Sequence, residues 1–359
     1  PARGGRLQLR EHPPEVTRYF ETTQYSTPRI HLLSNGSYSV MMTTAGGGYS
    51  RCGATAITRW REDVTCDNWG QFCYLRDIRS GEIWSTSFQP TLAKPTNYSA
   101  TFSLGKAEYR REDHEIETHT TVSVSTEDDA EVRSVRIANL SSEPRELDVT
   151  SYGEIVLTTQ AADQAHQAFS NLFVQTEFAI GPGAILATRR KRSPTDPDAW
   201  AVHVSAVEGT GVGAPQFETD RARFIGRSRT TEAPVAVAEN RPLSNTSGAV
   251  LDPIMSLRRR VRLGPKEEVT IYFTTAFATS HEQALALAGK YSDAGSASRA
   301  SELAWTDAQV EGITSVLEES RLRPEIFLEH LNILRLPTPY NKHNFADHLT
   351  RHYHSQRFD

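Results

Sequence analysis

Apolar residues return at every second position along much of this chain, and no other feature restricts its fold so strongly. Ile116, Thr118, Thr120, Val122 and Val124 alternate with Glu117, His119, Thr121 and Ser123. Val269, Ile271, Phe273, Thr275 and Phe277 alternate with Thr270, Tyr272 and Thr274, and Leu257, Arg259, Val261 and Leu263 with Arg258, Arg260 and Arg262. Successive side chains of a strand point to opposite faces, so each run predicts a strand with one buried face. Turn signals punctuate the runs, among them Asn35-Gly36, Gly46-Gly47-Gly48, Ser80-Gly81, Gly181-Pro182-Gly183 and Gly264-Pro265. No long amphipathic helix is legible between about residues 25 and 279. So many short strands exceed a small barrel. The expectation is a mainly β fold, a large many-stranded antiparallel β-sandwich.

The pattern changes near Ser280. Ser280 and Gln283 form a capping box ahead of Ala284, Leu285, Leu287 and Ala288. Gly295 falls in a break, and a second helix is predicted from about Ser298, with Leu303, Val310, Ile313 and Leu317 on one face. Helical signals continue to about Leu334 and stop at Pro337 and Pro339. This divides the chain into an N-terminal extension (1–24), a sandwich (25–279), linker helices (280–336) and a polar, His-rich tail (337–359).

Composition excludes several classes. With 359 residues, 39 Lys+Arg against 44 Asp+Glu and a net charge of −5, there is no global charge favouring nucleic acid, and none is expected as a partner. Mean hydropathy is −0.49, and no window reaches the ~18 unbroken apolar residues of a spanning helix. The basic start, Pro1 to Arg6, has no apolar stretch after it and does not read as a signal peptide. A start without Met reads as part of something longer or as a processed chain. Cys52, Cys66 and Cys73 have neither C-x-x-C spacing nor a nearby His, so packed thiols are expected, with no metal or cofactor. In the tail, His348 and His352 stand at i, i+4 without an H-E-x-x-H motif, which reads as a surface tail. The Arg189–Arg192 and Arg258–Arg260 runs read as solvated loop or edge-strand charge blocks.

The stretch from Tyr49 to Gln89 is the richest in binding chemistry. It holds three of the five tryptophans, Trp60, Trp69 and Trp84, interleaved with Arg59, Arg61, Asp63, Asp67, Arg76 and Asp77. Aromatic faces beside planar hydrogen-bonding groups suit a sugar, which offers C–H faces to stack and hydroxyls to fork. The candidate sugar-binding set is Tyr49, Arg59, Trp60, Arg61, Asp63, Asp67, Trp69 and Asp77. The bland alternative is that the aromatics pack the sandwich and the Arg–Asp pairs line its rim. Glycosidic chemistry needs two carboxylates. Asp63, Asp67, Asp77, Glu154 and Asp163 are available, but no spacing selects a pair.

Longer runs carry a family likeness. Leu32-Leu33-Ser34-Asn35-Gly36-Ser37-Tyr38-Ser39-Val40-Met41 and Ala45-Gly46-Gly47-Gly48-Tyr49-Ser50 resemble the opening of the family 94 sugar phosphorylases. Thr58-Arg59-Trp60-Arg61-Glu62-Asp63, Tyr74-Leu75-Arg76-Asp77-Ile78-Arg79-Ser80-Gly81-Glu82-Ile83-Trp84-Ser85, Phe217-Glu218-Thr219-Asp220-Arg221 and Pro242-Leu243-Ser244-Asn245-Thr246 are similar to the phosphorylase-like region of the cyclic β-1,2-glucan synthases. The likeness runs from about residue 25 to 311. It implies an N-terminal supersandwich joined by linker helices to an (α/α)6 barrel. That barrel would carry the general acid, an Asp, while inorganic phosphate, the co-substrate, attacks the anomeric carbon with inversion. It also implies a β-1,2-glucan or related β-glucoside as ligand, the barrel as partner, a homodimer, and a cytoplasmic position in a bacterial inner-membrane enzyme.

The chain departs from that family near Gly312, before any barrel, so no catalytic residue carries over. Three readings follow: a sandwich assisting glucan phosphorolysis on a barrel elsewhere, a purely structural or dimerisation module, and a self-contained carbohydrase.

Overall fold

Two antiparallel sheets pack face to face, and short helical segments cover parts of their outer faces. A computed structural model describes residues 17–23, 29–63, 65–193 and 196–319. In chain order its strands begin with β1 Arg18–Phe20, β2 Ile30–Ser34, β3 Tyr38–Thr43, β4 Gly48–Cys52, β5 Thr55–Thr58 and β6 Phe72–Asp77. Next come β7 Ile83–Ser85, β8 Asn97–Ser103, β9 Lys106–Asp113, β10 Ile116–Val124, β11 Ala130–Asn139 and β12 Arg145–Thr158. The rest are β13 Val174–Ala179, β14 Ala184–Arg189, β15 Trp200–Glu208, β16 Gly211–Asp220, β17 Pro253–Leu263 and β18 Glu268–Ala278. Four short helices interrupt them: α1 Gln160–Ala165, α2 Gln167–Asn171, α3 Arg221–Ile225 and α4 Val235–Ala238. Two longer ones follow, α5 His281–Tyr291 and α6 Ala294–Glu319.

All named pairings are antiparallel. The first sheet runs β1-β8-β9-β10-β11-β18-β15-β14-β13, and the second β16-β17-β12-β5-β4-β3-β2. The 14-residue β12 organises the second sheet. One edge pairs with β17, while the other pairs first with β6 over Leu147–Tyr152 and then with β5 beyond Ile155. The main core lies between the sheets and includes Val40, Leu75, Trp84, Val122, Val135, Val149, Leu257 and Ile271. The expected mainly β sandwich followed by C-terminal helices is what the chain forms.

Three local expectations change. Strand β1 lies inside the stretch read as an extension and forms the edge of the first sheet against β8. Alternation along β18 predicted one buried face, yet Tyr272, Thr274, Ala276 and Ala278 are buried as well. The cause is α5, whose Ala284, Leu287, Ala288 and Tyr291 pack with Tyr272, Ala276 and Ala278 as a second core. The second linker helix starts at Ala294, not near Ser298, because Asp293 caps it, its Oδ2 accepting from the Ser296 amide at 2.8 Å. Gly295 is therefore inside the helix. The Ser280 cap is present as read, with its hydroxyl accepting from the Gln283 amide at 3.1 Å. The remaining linker-helix expectations past Glu319, the His-rich tail and most of the N-terminal extension lie outside the described residues.

The arginine run at 258–260 is corrected too. β17 is an interior strand, flanked by β16 and β12, and Arg258 is buried. Its guanidinium donates to Thr150 Oγ1 at 2.9 Å, to the Arg241 carbonyl at 3.0 Å and to the Ala236 carbonyl. The α3–α4 segment covers this face, so the cation ties the cover to the sheet.

Candidate functional site

The β3–β4 turn forms because of its glycines. Gly48 has φ +156, and a Cβ there would stand 1.9 Å from the Met41 carbonyl oxygen. A Cβ on Gly47 would stand 2.3 Å from the Asp67 carbonyl oxygen. Only glycines let the Asp67–Gly70 loop lie against this turn, where the Gly48 amide donates to the Trp69 carbonyl at 2.8 Å. Trp69 is thereby placed beside the start of β4, which carries Tyr49.

Tyr49, Trp60 and Arg61 share one cleft of about 230 Å³ with Arg51, Thr58, Thr159, Gln160 and Asp163. The Tyr49 and Trp60 rings meet edge-on, with centroids 5.9 Å apart. The Arg61 guanidinium lies 5.8 Å from the Trp69 ring centre and donates to Gln167 Oε1 at 3.0 Å. Burial pushes the Tyr49 hydroxyl up to about 12, so it is neutral and free to donate near neutral pH. An aromatic wall, two guanidinium groups, a hydroxyl and an amide thus converge on one opening.

Beneath the cleft lies a dense ion network. Arg59, 1% exposed, pairs with Glu154, with Asp163 at 3.2 Å and with Asp252 at 3.5 Å, and donates to Asn171 Oδ1 at 2.7 Å. Arg61 reaches the same Asp163 at 2.5 Å, and Arg221 reaches Glu154 at 2.7 Å. Three cations face three carboxylates, and the Tyr152 hydroxyl donates to Glu154 at 2.8 Å. Burial alone would raise the Glu154 carboxyl, but Arg59 and Arg221 outweigh it and hold it below the usual range. Burial and the Glu154 charge push Asp252 up. An ion-paired carboxylate kept ionised is a poor proton donor, so this pairing favours structure over general-acid work.

The sequence-derived set is thus split. Tyr49, Trp60 and Arg61 line the cleft, Trp69 stacks behind Arg61, and Arg59 is the buried base of the network. Asp67 supports the glycine turn, and burial raises its carboxyl against a hydrogen bond from Thr43. Asp63 is exposed and closes its own turn, accepting from the Thr65 amide at 2.8 Å and its hydroxyl at 2.6 Å. Asp77 is set apart at the end of β6, where it accepts from the Arg79 and Ser80 amides at 2.8 and 2.9 Å and pairs with Arg145 at 2.6 Å. Arg51, Thr159 and Gln160 were not foreseen. The only local signal was Thr159, which caps α1 by accepting from the Ala162 amide at 3.3 Å.

The model of the glycosyl hydrolase 94 supersandwich domain matches residues 14–294. The chain is 38% identical over 288 residues to the cyclic beta-(1,2)-glucan synthase NdvB of Rhizobium meliloti, covering 79% of this chain and 10% of that protein. It is 26% identical over 247 residues to the N,N'-diacetylchitobiose phosphorylase of Vibrio furnissii, covering 67% and 30%. It is also 26% identical over 279 residues to the solabiose phosphorylase of Paenibacillus borealis, covering 76% and 35%. The chain spans about a tenth of the synthase and about a third of these phosphorylases.

Proposed function

The chain belongs to the glycosyl hydrolase 94 supersandwich-domain family, and from that footing we propose that it is a carbohydrate-handling accessory module. Its role would be to assist a catalytic (α/α)6 barrel in binding and phosphorolytically trimming a β-1,2-glucan or related β-glucoside. The observation that carries this reading is the Tyr49–Trp60–Arg61 cleft, where two half-buried rings and two guanidinium side chains line one opening. The chain covers 10% of the synthase and 30% of the N,N'-diacetylchitobiose phosphorylase, which supports a partner domain. The reading includes self-association and a cytoplasmic position. Among the described residues no helix is long and apolar enough to cross a membrane.

The purely structural reading has its own support in Arg59 and Asp77, whose side chains are spent on buried ion pairs. The two readings part at Trp60, which is half-buried on the cleft. Calorimetric titration with linear β-1,2-gluco-oligosaccharides, with glucose 1-phosphate assayed in the same samples, is the test. Saturable binding that Trp60→Ala abolishes, without product, is the expected result. No binding by the wild-type chain would leave the structural module, and turnover would show that the sandwich carries its own catalytic carboxylates.

A further inference from the structure

The outer face of the second sheet carries a row of charges in cross-strand register. Arg76 on β6 stands opposite Asp148 on β12, which stands opposite Arg260 on β17. Two positions along, Tyr74, Thr150 and Arg258 form the next row on the same face. Asp148 is not shared evenly. Both its oxygens are taken by Arg260, at 2.7 and 2.9 Å, and Arg258 lies 4.0 Å away. Arg258 is itself saturated by Thr150 and two carbonyls.

Arg76 is left over. It is 9% exposed, yet its Nε and Nη1 are buried and have no hydrogen-bond partner among the described residues. Its strand neighbour on the other side is the aliphatic Ile83. Its Nη2 points towards the β6–β7 turn, where a Cβ on Gly81 would stand 3.9 Å away. The two rows therefore hold three guanidinium groups around Asp148, with Glu146 as the further carboxylate, 3.7 Å from Arg260. The excess is felt at Arg258, which burial first, and then Arg260 and Arg76, draw down to about 10 against the pull of Asp148. A buried guanidinium without acceptors is costly, and its planar fork is shaped for the two oxygens of an oxyanion.

We infer that Arg76 forms an oxyanion-binding site on the outer face of the second sheet, taking a carboxylate or tetrahedral oxyanion into its unfilled fork. The site is independent of the Tyr49–Trp60 cleft, since none of its residues lines that cleft. The oxyanion has two possible sources, a free ion or a carboxylate side chain on a neighbouring protein surface.

The test is thermal unfolding of the full chain in inorganic phosphate, sulfate or acetate, each matched in ionic strength with chloride. Wild type is compared with Arg76→Met, Arg76→Lys and, as a salt control, Arg79→Met, whose side chain is 77% exposed and paired with Glu143. At ten times the dissociation constant, a ligand of the folded state raises Tm by roughly 2–4 °C in a chain of this size. Wild type and Arg79→Met should show that rise. Arg76→Lys should need about tenfold more anion, and Arg76→Met should show no rise. Phosphate and sulfate acting without acetate would identify a free tetrahedral ion, and acetate acting equally would identify a carboxylate. Phosphorus NMR line broadening on the wild type, relieved by sulfate, gives a reading should Arg76→Met not fold. No response beyond chloride, or the same response in Arg76→Met, would mean an adventitious ion only and would overturn the site.

Discussion

Without its guanidinium, the position of Arg59 would leave the buried Glu154 and Asp163 with only the partly exposed Arg221 and Arg61 as cations. Breaking a buried ion pair from one side costs about 3–5 kcal/mol, because the remaining charge is uncompensated. Arg59→Met is therefore expected to lower urea-unfolding stability by that order. Arg61→Met, with a partly exposed side chain, should cost about 1 kcal/mol or less. Equal losses in the two would contradict the network's placement. His203 offers a second residue-scale prediction. It is 3% exposed, with Ser151 Oγ 2.8 Å from Nε2 and Thr275 Oγ1 2.9 Å from Nδ1. Burial, aided by Arg133, draws its imidazole down to about 3, far below its ordinary value of 6.5. The unfolded chain then binds the extra proton between those values, so this contribution is complete above pH ~6.5 and is lost as pH falls towards 3, with a slope of at most ~1.4 kcal/mol per pH unit. Urea midpoints measured across pH should fall less steeply for His203→Gln than for wild type.

At the scale of elements, the β8–β9 turn and α6 depend on one another. Gly105 has φ +79, and a Cβ there would stand 2.7 Å from the Ala308 side chain and 2.9 Å from the Ala304 carbonyl oxygen. Gly105→Ala is both strained and overpacked, with an expected cost of about 1–3 kcal/mol. Loss of helical signal before loss of strand signal in circular dichroism would locate the damage at α6. An unchanged melting curve would count against the contact. The strands were legible because alternation repeats over nine to eleven residues, as in β10 and β18. The helices α1 and α2, of six and five residues, were not, because they complete less than two turns and cannot display a 3.6-residue period. They nonetheless contribute Asp163 and Asn171 to the ion network, which is why the floor of the cleft could not be read beforehand.

For the whole molecule, the two sheets are joined by polar groups as well as by the apolar core. Glu131 on β11 is fully buried and accepts from Ser50, Gln71 and the Tyr38 hydroxyl on the opposite side of the sandwich, while Arg133 pairs with it at 2.9 Å. Glu131→Ala should cost about 3–5 kcal/mol in chemical unfolding, and Glu131→Gln less, since the amide keeps part of the hydrogen bonding. A cost below about 1 kcal/mol for Glu131→Ala would show that the apolar core alone holds the sheets.

The sequence by itself determined the strand-rich class, the sandwich, the helical exit at Ser280 and the family, because alternation, turns and caps are local and family-specific runs are contiguous. It named Tyr49, Trp60 and Arg61 only among eight candidates of one stretch, and the fold brought these three to one cleft. What only the tertiary structure decided is which polar residues are spent on one another. Arg59 and Arg258 have the same chemistry as Arg76, yet burial beside partners distant in sequence fills the first two and leaves two nitrogens of Arg76 without a partner among the described residues. Such pairings join residues about 100 positions apart, as Arg59 with Asp163 and Arg258 with Thr150, and a separation of that length leaves no periodic trace in the chain.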